Sequence, residues 1–211
     1  MDTTETEMQT LVLLGGHVKA LGDGRVGGYL VRFSDADHPD LEQDYFDAKT
    51  DFDIETGDRV TAYYNHGFDP VLKRRKLGRG TMRIDDAGVW VEAQLALRDE
   101  YERAVYEMAV AGKLGWSSGT LPHLVEREPV GKAYHIKHWP LGKDASLTVG
   151  PAAGPELTRV TTLKSVLELA AQDASSGASL PEADRTSAVQ DADEAQALLL
   201  ELELLSIEGD A

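Results

Sequence analysis

The sequence predicts an α+β fold in which short, mostly antiparallel strands dominate and the helices stand apart from them. Three observations carry this reading. Runs of β-branched and aromatic residues recur between glycine-rich turns, one run alternates strictly in polarity, and repeated strand–helix units are missing.

Residues 1–10 are polar and acidic and predict a disordered start. Leu11 to Leu14 and Tyr29 to Phe33 read as strands separated by a link rich in glycine (Gly22, Gly24, Gly27, Gly28). Residues 34–58 read as a long polar connection. "RVTAYYNHG" is a short strand that ends at the turn-prone Asn65-His66-Gly67. The basic run Lys73-Arg74-Arg75-Lys76 reads either as a solvated hairpin tip or as a docking patch for an acidic partner.

Next, "LGRGTMRI" and "GVWVEAQLAL" flank Asp85-Asp86-Ala87-Gly88 as a hairpin. Val89, Val91, Ala93, Leu95 and Leu97 alternate with polar or smaller residues, the pattern of a strand with one buried face. A helix follows. Asp99 and Glu102 form a capping pair, Tyr101, Ala104, Val105, Met108 and Ala109 share a face, and Gly112 supplies the stop.

"GTLPHLVER", "AYHIKHWPL" and "DASLTV" predict further strands, the last running into a Pro/Gly terminator. Leu163 to Ala171 reads as a helix, Ser175 to Ser179 as a linker, and Glu194 to Ile207 as a leucine-rich helix. The partition is thus a start at 1–10, a main domain at 11–160 and an acidic helical tail at 161–211.

With 211 residues, 42% of them hydrophobic, the chain can fill one core and carry an appendage. It has no cysteine, so disulfides, thiolate nucleophiles and cysteine-bound zinc are excluded and any nucleophile is an oxygen or an amine. The net charge of −16 argues against a broad nucleic-acid surface. Residues 165–211 hold eleven acids and one base, a net of −10, which leaves −6 for the rest. No early apolar run reaches the length of a signal or membrane-spanning segment, so a cytoplasmic protein without membrane contact is expected.

The stretch "KLGWSSGT" contains Gly115-Trp116-Ser117-Ser118-Gly119, the pattern G-x-S-x-G. The nucleophile elbow of an α/β-hydrolase needs a strand leading in and a helix leading out, whereas here a helix leads in and a strand leads out. A plain glycine-serine turn is the simpler reading. Against it stands the company of the serine: a histidine at a strand end, His66, and an acid downstream, Asp144.

Serine attacks carbonyls only when a base takes its proton, and that base works best when a third group orients it. His66 has the best context for the base, although it could equally cap a turn. His17 and His38 sit in a strand flank and a surface loop, and His123 is too close in sequence to reach Ser117 without a reversal. His135 and His138 point to opposite faces of a regular strand. With Glu126 or Asp144 they form a weak zinc pattern, since such a pair diverges on a strand.

"GYLVRF", "YYNHG", "GVWVEAQLALRDEYERAVYEMAVAGKLGWSSGTLPHLV" and "IKHWPLGKDASLTVGPAAGP", in this order, resemble the tailed-phage prohead maturation proteases, a family related to the herpesvirus maturation protease, assemblin. The resemblance spans roughly Gly28 to Pro155. It implies a mostly antiparallel β-barrel flanked by helices, without a cofactor or metal. It also implies a serine endopeptidase that works in the host bacterial cytoplasm, inside the immature capsid. There such an enzyme removes scaffolding segments from the capsid precursor and usually processes itself.

By the family's motif blocks, His66 is the general base and Ser117, ahead of Ser118, the nucleophile. Asp144 stands where a glutamate is usual and is the third member, with His138 as its rival because the herpesvirus relatives use a second histidine. Oxyanion donors are expected from amides of the glycine-rich turn. Major capsid protein precursor and scaffold segments are the implied partners, and the apolar stripe of the terminal helix suggests self-association. The reading from a different class is a non-catalytic scaffold or capsid-interior assembly protein that retains the fold.

Overall fold

The computed structural model describes residues 10–142, 144–149, 159–162 and 164. The chain divides between Ala170 and Ala171, and everything described belongs to the first unit. The expected disordered start, the Pro/Gly terminator, nearly all of the helix from Leu163 to Ala171, the linker and the leucine-rich helix lie outside those residues.

Nine strands make one sheet. They are β1 (Leu11–His17), β2 (Lys19–Gly22), β3 (Arg25–Arg32), β5 (Arg59–Tyr64), β6 (Gly78–Asp85), β7 (Gly88–Leu95), β8 (Leu114–Thr120), β11 (Asp144–Val149) and β12 (Arg159–Thr162). Their order across the sheet is β12-β1-β8-β11-β5-β6-β7-β3-β2. Every neighbouring pair is antiparallel except β5 with β11.

Only Val18 separates β1 from β2, yet β1 lies next to one edge of the sheet and β2 forms the other. One continuous segment can serve both ends only if the sheet curls on itself. The two ends come very close there: a Cβ on Gly15 would lie 2.4 Å from the carbonyl oxygen of Leu30. The result is a curled half-barrel, consistent with the expected barrel class, and among the described residues it carries one α-helix.

Alternation fills the inside of the curl. Val60 and Ala62 of β5, Val89, Val91, Ala93 and Leu95 of β7, and Ala145 and Leu147 of β11 join Leu114 and Trp116 of β8 in one buried core. The expected hairpin between β6 and β7 is present, with Asp85 opposite Gly88.

Two expectations need correction. Residues 34–58 are not a mere polar connection. They bury Tyr45, Phe46 and Phe52, and Asp44–Tyr45 (β4) joins β10 (Ala133–His138) and β9 (Glu126–Val130) in a second, three-stranded sheet. The many aspartates there serve as local acceptors: Asp35, Asp40, Asp47 and Asp51 each accept backbone N–H groups within a few residues, so their polarity encodes turns between buried anchors. "GTLPHLVER" is also not one strand. β8 ends at Thr120, a turn at Pro122–Leu124 follows, and β9 begins at Glu126.

The helix, α1 (Glu100–Val110), begins as the capping pair predicts, with Asp99 accepting the Glu102 N–H at 3.0 Å. Its buried line is Glu102, Val105 and Ala109, so Tyr101 lies outside it. Glu102 itself is buried and receives the Arg98 guanidinium. Among the described residues no helix is long and apolar enough to cross a membrane.

Candidate active site

The serine stretch is not a turn. Ser117 sits in the middle of β8, opposite Leu14 of β1 on one side and Ser146 of β11 on the other, and is fully buried. Trp116 explains why: its indole fills the core from the inner face, and the alternation of a strand then sends the neighbouring Ser117 to the outer face. Ser118 points back inward, where its hydroxyl donates to the Leu141 carbonyl at 3.1 Å.

On that outer face three hydroxyl-bearing residues line up across three strands. Ser117 of β8 pairs with Ser146 of β11, and Ser146 pairs with Tyr63 of β5. Beyond β5 the chain turns sharply at Asn65–Gly67, where three successive residues have positive φ: Asn65 at 43°, His66 at 54° and Gly67 at 81°. Glycine takes this conformation freely, but for histidine it costs about 1–3 kcal/mol unless neighbours hold it. Ser146 supplies one such hold: the His66 backbone N–H donates to Ser146 Oγ at 2.7 Å. Thr148 Oγ1 reaches the same oxygen at 3.4 Å.

Turned this way, the ring of His66 comes down on β8. Its Nε2 shares a hydrogen bond of 2.7 Å with Ser117 Oγ, joining residues 51 apart in the sequence. The ring is desolvated by its surroundings, and this burial pushes its pKa down from 6.5 to about 4. It therefore stays neutral well into the acid range, with a lone pair available for a proton. A neutral imidazole on a buried hydroxyl is the arrangement by which a serine is made nucleophilic.

The two candidates for a third member lie elsewhere. Asp144 opens β11, two residues before Ser146 and on the same outer face, with its side chain exposed. No hydrogen bond joins it to the His66 ring. Its charge is felt instead at Tyr63, whose pKa rises through burial first and the Asp144 carboxylate second, with Arg74 acting in the opposite sense.

His138 belongs to the smaller sheet. Its Nδ1 meets the Leu124 carbonyl at 2.9 Å and its Nε2 meets Asp53 at 3.0 Å. The Asp53 contact raises its pKa, as expected of a protonated ring in an ion pair.

Two further histidines bond to nearby acids. His135 is buried against Tyr45 and bonded to Asp47, and the exposed His38 bonds Asp35. His135 and His138 thus keep separate acids, so they do not converge on one ion. Asp51, Asp53 and His138 place ligand atoms within 4.8 Å of one another, but the imidazole of that group is already bonded at both nitrogens.

Ser146 is the functional-site residue that motif reading passed over. The signal was present in "DASL", where only the acid drew attention. Gly115 to Gly119 is strand rather than turn, paired with β11 as far as Ser117, beyond which Ser118 and Gly119 pair with β1 alone.

No curated protein and no solved structure matches the chain. A family model does: that of the caudovirus prohead serine proteases matches residues 17–123, half of the 211-residue chain. The matched span contains both His66 and Ser117 and stops short of His138 and Asp144. Histidine and serine blocks found in the family's order, brought within hydrogen-bond distance by the fold, lead to one statement: this chain belongs to the caudovirus prohead serine protease family.

Proposed function

We propose that the protein is a serine endopeptidase of capsid maturation that cuts the capsid precursor and its scaffolding segments inside the immature capsid, in the cytoplasm of the host bacterium, and that it also cuts itself. The observation that carries this reading is the 2.7 Å contact between His66 Nε2 and Ser117 Oγ.

In the reaction the Ser117 hydroxyl attacks the peptide carbonyl while Nε2 of His66 takes its proton. The C–N bond then breaks, the imidazolium returns the proton to the leaving amine, and water repeats the sequence to release the acyl group. The low pKa of the ring keeps it in the accepting form at neutral pH. We assign the third role to Asp144, on its place two residues from Ser146 on the outer face of β11. Catalytic hydrogen bonds often tighten only in the loaded enzyme.

The test is co-expression with the capsid precursor, followed by mass spectrometry. Truncated precursor should disappear with Ser117→Ala and persist with Ser118→Ala. Full processing by Ser117→Ala would overturn the assignment.

A further inference from the structure

By sequence, the basic run at residues 73–76 reads as a solvated hairpin tip or a docking patch. The fold places it beside the active site. A Cβ on Gly67, the residue after His66, would lie 2.7 Å from Cγ and 3.3 Å from Cα of Arg74, so the root of the Arg74 side chain rests on the His66 turn.

The loop that carries Arg74 is firmly anchored. Leu72 is buried and its N–H donates to Asp69, Arg75 pairs with Asp99 at the start of α1, and the Arg98 guanidinium donates to the Lys76 carbonyl. These anchors use Arg75 and the backbone but leave the neighbouring charges unspent. Lys73, Arg74 and Lys76 are exposed, and no acid among the described residues lies within ion-pair distance of them.

Across the site, the row Ser117, Ser146, Tyr63 leads from the nucleophile toward the region where Arg74 and Asp144 both act on the tyrosine. Arg74 thus stands on an anchored loop beside the His66 turn, within electrostatic reach of Tyr63. Residues 1–164 carry a net charge of −6, so these three cations stand in a surface that is acidic on balance. An acidic substrate would be repelled by most of the surface and drawn in here. Arg also offers planar, paired donors that match a carboxylate.

Resting on the proteolytic reading above, we propose that Arg74 is a specificity residue that selects peptides carrying an aspartate or glutamate within a few residues of the scissile bond. Its guanidinium receives that carboxylate, with Lys73 and Lys76 adding to the attraction.

The experiment digests a proteome-derived peptide library with the full chain and identifies the new termini by mass spectrometry. It then measures rates on a matched pair of peptides, cut at the same site, that differ only as Glu and Gln at the enriched position. The expected result is acidic enrichment on one side of the cut and a Glu:Gln rate ratio of about two to five, the size of one exposed charge contact. Arg74→Gln should bring the ratio near one and Arg74→Glu should invert it. Because a ratio is read, a general loss of rate in either variant cancels.

No acidic enrichment in the wild type, or an unchanged ratio in Arg74→Glu, overturns the inference while leaving the protease intact. Absence of any cleavage that depends on Ser117 overturns the proteolytic reading, and the inference with it.

Discussion

His66 is a strained residue held by a serine, and both facts lead to tests. The ring is neutral in the fold because burial lowers its pKa to about 4, whereas the unfolded chain takes up the proton near 6.5. Between these values the unfolded state binds more protons, so stability should be full above pH 6.5 and fall as the pH drops toward 4. His66→Gln should remove that part of the slope in melting experiments against pH. The same shift sets reactivity: labelling of Ser117 by an alkyl fluorophosphonate should keep its rate down to about pH 4 rather than fading near 6.5.

Ser146 holds the backbone of His66, the residue we propose as the base. Ser146→Ala should slow labelling roughly 10- to 100-fold, the scale of loss expected when a reacting group is misplaced by about an ångström. Ser146→Thr, which keeps the acceptor oxygen, should recover most of the rate. Equal rates in Ser146→Ala and wild type, with unchanged melting, would remove the positioning role.

Among the elements, β8 and β11 show what the sequence could and could not say. The alternation of Val89 to Leu95 identified β7 at once, because a half-buried strand writes its period into its side chains. In β8 the same alternation is masked. The inward positions are Leu114, Trp116 and Ser118, and the outward ones are small because other strands and the His66 turn lie against them. Two glycines and two serines in seven residues then look like a turn.

The polar segment at residues 34–58 misled for a related reason, since its aspartates cap turns around buried aromatics. The crossing of β1 and β3 offers a direct test of the curl. Gly15→Ala would bring a methyl within 2.4 Å of the Leu30 carbonyl oxygen and 2.5 Å of that of Tyr29. Backbone cannot retreat there without moving a strand, so a loss of about 1–3 kcal/mol or more is expected in denaturant unfolding. A stable Gly15→Ala protein would contradict the tight closure.

For the whole molecule, composition and motif order pointed to the right class and family, and the matched span carries both His66 and Ser117. Chain order could not reveal that Ser117, Ser146 and Tyr63 share one row. That fact depends on a parallel strand, β11, inserted between two antiparallel halves, and pairing across such distances leaves no local mark. Nor could it show that the basic run rests on the His66 turn, since Gly67 and Arg74 meet only through a loop folded back and pinned to α1.

The position of β11 has a consequence in time. It is the strand that separates β8 from β5, and it carries the oxygen that holds the His66 backbone across 80 residues of sequence. Contacts of such separation close late, because the entropy of the long loop must be met before they form. A chain synthesised only as far as β8 already contains Ser117 and His66, yet lacks the strand whose Ser146 holds the His66 backbone. The pairing of His66 with Ser117 therefore waits on the insertion of one late strand.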